Sequence, residues 1–464
     1  MKGVKTWSYQ QYKPLCWYAG DIYICRVVPD SNSIHLEWLP IEAEEYIVYY
    51  KVKNSIDFKV AGTTKSAEFD ITGLGRHYDY EFYVAAGEKK SRVRLARTGE
   101  AVGTVVNYLH PDDNAYAFSG RFLCSPSLVR HPDGFLLSSM DLFAGRYPQN
   151  LTLIFLSDDE GKTWHYVSEL MPCFWGKLFI HKGELYMLSC STEYGDLLIG
   201  KSTDGGKTFC SPVTLLRGSN GKNGGVGVHK NPQNIMYFNG RIYNTLEWGS
   251  WDNYEYYHAA MVMSADENAD LLDPESWHFS EPLKYDPEWK GTVDGPALAT
   301  IEGTLCVSPE GELLNIMRYN IRKGATPPYG LVLSYKVSTK DPDAPLEYSH
   351  SIKMPCNNSK FTIKFDEVSK KYYSVVTRID CAERINGRNL LSLMSSEDLE
   401  NWKLVCDLID KRDEDMTKVG FQYCDFEFSG NDLIFLCRTA MNGAETYHNT
   451  NYQTFHRVEN FRDL

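Results

Sequence analysis

No apolar run in this sequence is long enough to cross a membrane as a helix, and Met1 to Gly20 holds no hydrophobic stretch of leader length. No block of lysine and arginine stands out, and the formal net charge is −13. Non-specific nucleic-acid binding and attachment to an anionic membrane are both disfavoured on that balance, although a basic pocket can still sit on an acidic protein. The 12 cysteines are scattered from Cys16 to Cys437 with no Cys-x-x-Cys pair and no finger spacing. Acidic residues come as turn aspartates or isolated glutamates rather than as clustered ligands, so no metal is expected. There is no Gly-Lys phosphate cradle and no dinucleotide fingerprint, so no cofactor is expected either. Cys190, Cys306 and Cys437 lie in apolar strand-like runs, where a reduced thiol behaves as a small hydrophobe. Reduced thiols without a leader predict a cytoplasmic chain, and a secreted chain trimmed of its leader would read the same way.

What is abundant is aromatic: 31 Tyr, 21 Phe and 10 Trp in 464 residues. Flat rings suit pleated surfaces, so the composition favours an all-β protein, and a ring face also suits the apolar face of a sugar. The length calls for two or three domains.

From Asp21 to Gly99 short alternating strands follow one another: Ile34 to Trp38, Tyr46 to Tyr50, Phe69 to Ile71 and Tyr80 to Val84. Strands of this length with no helical period between them predict a β-sandwich. Trp38 in the core position, and Ile71-Thr72-Gly73-Leu74 followed by Tyr80 and Phe82, resemble the fibronectin type III domain. Residues 1–20 are then an N-terminal extension and 21–99 a small fibronectin III-like sandwich. The resemblance implies a spacer or docking module, and such a module can pack either on its own propeller or on a second copy of the chain.

From about Ala101 onward, strand-rich units recur about every 45 to 60 residues, the period of propeller blades. Ser157-Asp158-Asp159-Glu160-Gly161-Lys162-Thr163-Trp164 and Ser202-Thr203-Asp204-Gly205-Gly206-Lys207-Thr208-Phe209 share one pattern, with looser versions at Asp270 to Trp277 and Ser395 to Trp402. Such a turn needs an aspartate to accept backbone N–H groups, a glycine at positive φ and a ring to plug the sheets. These repeats resemble the Asp boxes of the sialidase superfamily. The resemblance implies a six-bladed β-propeller over 100–464, with Val102 to Tyr108 closing the ring against the last blade.

Propeller chemistry collects where strand ends converge on the axis. Glu302 opens a strand whose partner closes on Arg318; Ser374 to Arg378 and Leu433 to Arg438 end in the same way; Gln422-Tyr423 begins the last blade. In the sialidase family a glutamate draws the proton from a nucleophilic tyrosine, and arginines bind the sugar carboxylate. The resemblance therefore assigns Tyr423 and Glu302 to catalysis, and Arg318, Arg378 and Arg438 to substrate, with Gln422 beside them. Two family features are missing. Cys124-Ser125-Pro126 stands where an arginine precedes the proline, and the loop Gly145 to Asn150 holds no acid/base aspartate; Asp141 is the nearest. His229 is the other acid–base candidate, with Lys230, Glu247, Trp175 and His448 as further contacts and the glycine-rich stretch Gly218 to Gly227 as an entrance. The expected activity is exo-hydrolysis of a terminal sugar, acidic or neutral, on a glycan or oligosaccharide, and with those two features missing it is not that of a true sialidase. A lyase acting on a uronic acid linkage and a non-catalytic carbohydrate-binding propeller remain the alternatives.

Overall fold

The computed structural model describes residues 2–4, 20–145, 147–219, 225–253, 255–292, 297–321, 330–356 and 359–464. The expected extension 1–20 and the centre of the glycine-rich stretch fall mostly outside these residues. Among those described, the secondary structure is antiparallel strand with three short 3-10 turns.

Six sheets of four or five strands follow in chain order. The first runs Phe122–Arg130, Leu136–Phe143, Thr152–Ser157 and His165–Leu170. The second runs Phe174–His181, Glu184–Cys190, Leu197–Ser202 and Val213–Leu216, with Lys2–Val4 on its outer edge. Gly227–His229, Arg241–Gly249, Ala259–Asp266 and Trp277–Phe279 make the third, with Met236–Phe238 paired to Arg241–Gly249. Ala297–Val307, Leu313–Ile321, Leu331–Lys336 and Glu347–Lys353 make the fourth; Ile363–Asp366, Lys371–Thr377, Leu390–Ser396 and Lys403–Asp410 make the fifth. The sixth joins Gly420–Ser429, Asp432–Ala440 and Tyr452–Val458 to Thr104–Tyr108 from the start of the region. That pairing covers an edge that would otherwise lie open.

The two repeated octapeptides fold into the same turn. Ser157 Oγ donates to Asp159 Oδ1 at 2.8 Å and accepts the Gly161 N–H at 2.8 Å, while Asp159 also accepts the Thr163 N–H at 2.9 Å. Ser202, Asp204, Gly206 and Thr208 repeat these bonds at 2.9, 2.9 and 2.8 Å. Trp164 and Phe209 are buried beneath the turns. Gly161 sits at φ 86°, and a Cβ there would meet the Phe455 ring at 2.1 Å, so neither the conformation nor the space admits a side chain.

The N-terminal strands form two further sheets, Ile24–Pro29/Ile34–Trp38/Glu68–Ile71 and one built around Tyr46–Val52 and Asp79–Ala86. Their alternating inward residues, among them Trp38, Val48, Phe82 and Val84, fill the space between. Tyr80 Oη accepts the Gly75 N–H at 2.8 Å, pinning the chain ahead of Asp79–Ala86. This unit is welded to the propeller side. Arg94 Nε donates to the buried Asp113 at 2.7 Å, Arg26 Nε to Val106 O at 2.7 Å, and Tyr23 Oη to Glu169 at 2.8 Å. Val105, Tyr108 and Tyr452 share one apolar cluster with the sandwich core.

Candidate active site

The site is built from irregularities in the first strands of the sheets. Each of four such strands slips register against its neighbour: between Cys124 and Ser127, Phe174 and Lys177, Ile301 and Thr304, and Gln422 and Asp425. In each slip one non-glycine residue takes positive φ: Ser125 (46°), Trp175 (53°), Glu302 (57°) and Tyr423 (57°). A bulge of this kind re-aims a side chain that the alternation would have turned into the sheet. Trp175, Glu302 and Tyr423 thereby reach one pocket of about 300 Å³. Carboxylates on neighbouring sheets hold two of these bulges. Asp141 accepts the N–H groups of Trp175 at 2.8 Å and Gly176 at 3.4 Å; Glu247 accepts those of Glu302 at 2.8 Å and Gly303 at 3.5 Å. A Cβ at Gly303 would lie 2.2 Å from Asn315 Oδ1, so any side chain there forces its neighbours to shift.

The pocket is lined by Cys124, Phe143, Trp175, Glu193, His229, Trp251, Ile301, Glu302, Arg318, Asn320, Arg388, Tyr423, Arg438 and His448. At its floor Tyr423 Oη donates to Glu302 Oε1 at 2.5 Å, and Arg318 Nη1 donates to Glu302 Oε2 at 2.8 Å and to Tyr423 Oη at 3.4 Å. Burial would raise the Glu302 carboxyl, but Arg318, the Tyr423 hydroxyl and His229 outweigh it and hold the group below the ordinary carboxylate range. Burial and the Glu302 charge push the Tyr423 phenol up, so it is a neutral phenol with its proton directed at a base. Arg438 lies 5.1 Å from the Tyr423 ring centroid and donates to Cys124 Sγ at 3.2 Å, fixing the ring from its far side. Arg388 donates to the Gln422 side-chain oxygen and faces the Tyr447 ring at 5.3 Å; burial and the nearby Arg318 lower its guanidinium to about 10.

On the opposite wall, His229 Nδ1 lies 2.5 Å from Glu247 Oε2, with the Trp175 ring 4.4 Å and the His258 ring 4.7 Å away. Burial works against a charge on His229, but the bond and charge of Glu247, with Glu302 and Glu193 nearby, raise its imidazole above the usual value. His448 goes the other way: burial and the charges of Arg438 and Arg388 push it well down, leaving a neutral ring.

The structure thus brings Tyr423, Glu302, Arg318, Arg438, His229, Trp175 and His448 to one pocket. It places the other expected residues elsewhere. Arg378 is a correction: its guanidinium turns along the sheet to Asp407, at 2.8 and 3.0 Å, and to Ser392 Oγ at 3.0 Å. The arginine that the fifth sheet sends to the pocket is Arg388. Its carbonyl accepts the Phe421 N–H at 2.6 Å, which ties it to the strand bearing Tyr423. A Gly-Arg turn reads as surface in a sequence, so nothing local singled it out. Asp141 is fully buried and spends its oxygens on the Trp175 bulge and on Thr152 Oγ1 at 2.5 Å; burial pushes its carboxyl up to about 7. Lys230 points its Nζ at the carbonyls of Trp175 (3.0 Å) and Leu188 (3.3 Å), where burial lowers it to about 8. Gln422 and Glu247 are buried behind Arg388 and His229 rather than lining the cavity. Phe143, Trp251 and Asn320 reach the pocket without any motif to announce them.

No protein-family model matches the sequence, and no curated protein matches it. Solved structures do. An α-L-arabinanase from Penicillium chrysogenum, complexed with arabinobiose, superposes with a TM-score of 0.52 at 14% identity over 78% of this chain and 99% of that one. An α-L-arabinofuranosidase from Fusarium graminearum with an iminosugar inhibitor gives 0.51 at 16% identity, over 77% and 97%. A leech intramolecular trans-sialidase gives 0.50 at 9% identity, over 99% and 98%. At such identities the likeness is one of fold: the chain is an all-β protein of the sialidase-like propeller type.

Proposed function

We propose that this chain is a carbohydrate-active enzyme, an exo-acting glycoside hydrolase that removes a terminal acidic sugar from a glycan. On this reading the six sheets are the blades of a six-bladed propeller and residues 21–99 a fibronectin III-like sandwich ahead of it. The observation that carries the reading is the 2.5 Å bond from the Tyr423 phenol to Glu302, on the floor of a pocket walled by Arg318, Arg388 and Arg438. Ligands in the matched structures, arabinobiose and an iminosugar, are consistent with a sugar in such a pocket. The small volume favours a single sugar unit with its leaving group at the mouth.

In the first step Glu302 takes the proton from Tyr423 Oη as that oxygen bonds to the anomeric carbon. The bond to the leaving oxygen breaks, and His229 supplies that oxygen's proton. In the second step water, deprotonated by His229, attacks the same carbon; Tyr423 leaves and recovers its proton from Glu302. The arginines bind the sugar's carboxylate. A neutral nucleophile suits an anomeric centre that carries such a group, since a second carboxylate would be repelled.

The test is turnover of acidic-sugar glycosides and uronic-acid oligosaccharides in heavy-oxygen water, read by mass spectrometry for wild type and Tyr423→Phe. Label in the released sugar, lost in the variant, is expected. An unlabelled product lighter by one water would replace the hydrolase with a lyase. Binding without turnover would make the protein a lectin-like propeller.

A further inference from the structure

We propose that Glu247 is the positioning residue of this site, one carboxylate that holds the acid–base histidine with one oxygen and the bulge aiming Glu302 with the other. The inference rests on the reading of His229 as the acid–base group. Glu247 is 1% exposed and lies directly across the sheet from His229 in the pairing of Gly227–His229 with Arg241–Gly249. Its Oε2 is 2.5 Å from His229 Nδ1, and its Oε1 accepts the Glu302 N–H at 2.8 Å and the Gly303 N–H at 3.5 Å. Glu302 stands at φ 57°, a conformation that a side chain adopts only when the surroundings hold it there.

The fold contains its own comparison. Asp141 performs the same backbone task for the bulge at Trp175, and the rest of its hydrogen bonding goes to the Thr152 hydroxyl. A carboxylate can therefore hold such a bulge without bonding to a histidine. At Glu247 a titratable ring takes the place of that hydroxyl, in the one case where the bulge residue is also the base of the proposed mechanism. An ionised carboxylate only accepts, so the Nδ1 nitrogen must carry the proton, and Nε2 becomes the nitrogen that gains and loses one. The groups facing His229 are Glu247 on the adjacent strand, Glu302, Glu193, the Tyr194 and His258 rings, and the indoles of Trp175 and Trp251. Among these described residues, Glu247 is the one that hydrogen-bonds to the ring.

The experiment begins without substrate: an NMR titration of the His229 ring in the full-length protein, for wild type, Glu247→Gln and Asp141→Asn. Glutamine keeps an oxygen for the Glu302 N–H but turns an NH₂ toward His229. The His229 midpoint is expected to move toward acid in Glu247→Gln and to stay at the wild-type position in Asp141→Asn, whatever either change does to thermal stability. An unmoved midpoint in Glu247→Gln, or an equal movement in both variants, overturns the proposal. The second arm uses 4-methylumbelliferyl and natural glycosides of whichever acidic sugar is turned over. Glu247→Gln is expected to lose about a hundredfold or more in kcat on the natural linkage and far less on the aryl glycoside, whose leaving group needs little protonation. Equal losses on both would also overturn it. Failure of every glycoside, with the titration as expected, would instead count against the hydrolase reading alone.

Discussion

Replacing Glu302 by Gln probes the centre of the site in the absence of any substrate. The change keeps the shape and an oxygen for the Tyr423 hydroxyl, but it removes the carboxylate 2.8 Å from Arg318, in a pair whose side chains are 5% and 10% exposed. Stripping one partner from a buried ion pair costs about 3 to 5 kcal/mol, and a pocket open at its mouth calls for the lower end, about 3 kcal/mol. Unfolding entropy of about 2 cal/mol/K per residue over 464 residues converts that to a fall in Tm of about 3 °C. The pH dependence has a definite sign. Glu302 is held below its ordinary value, so the pair's contribution is complete above the unfolded carboxylate pKa, about 4.3, and is lost as pH falls through the lower folded value. Differential scanning calorimetry from pH 7 to pH 3 should therefore show a gap between wild type and variant that is constant down to about pH 4.3 and narrows below it. Adding Arg318→Met should recover part of the loss, because the stranded cation is then gone. A gap under about 1 °C at pH 7, a gap that ignores pH, or additive losses in the double variant would refute the reasoning.

Other consequences are equally direct. On the proposed hydrolase reading, Arg388→Met should raise KM for an acidic sugar about tenfold or more, the worth of a hydrogen bond to a charged group, whereas Arg378→Met should leave steady-state kinetics unchanged and cost under about 1 kcal/mol of stability. Gly303→Ala forces a methyl group to within 2.2 Å of Asn315 Oδ1; it should cost about 1 to 3 kcal/mol in urea unfolding and lower kcat by displacing Glu302. Asp113→Ala strands the buried Arg94 between sandwich and propeller. A loss of about 3 kcal/mol or more is expected there, with calorimetry resolving two transitions where the wild type shows one.

How far the sequence reaches depends on how local each feature is. Strand alternation is a property of neighbouring residues, so Ile34–Trp38 and Tyr46–Val52 could be read directly, and Trp38 stood out as core. The octapeptide turns were equally legible, because Ser157, Asp159, Gly161 and Thr163 bond to one another within a single turn. Tyr423, Glu302, Arg318 and Arg438 could be singled out as strand-end residues in a family order, a pattern along one dimension. Which arginine of the fifth sheet reaches the pocket could not be found that way. Arg378 has the pattern but also has Asp407 across the sheet, while Arg388 has no pattern but is drawn in by its backbone bond to Phe421.

The sequence by itself determined the periodic elements, the turns between them and most of the candidate residues that meet in the pocket, since each is marked by a pattern within a few residues. Tertiary structure alone decided the aim of those residues. The positive φ of Trp175, Glu302 and Tyr423 breaks the alternation that a sequence reading depends on. The carboxylates that hold two of these bulges, Asp141 and Glu247, come from neighbouring sheets 34 and 55 residues away along the chain. Both looked like reactive or sugar-binding groups, because a lone acidic residue on a strand carries no sign of whether a ligand or a backbone amide will meet it.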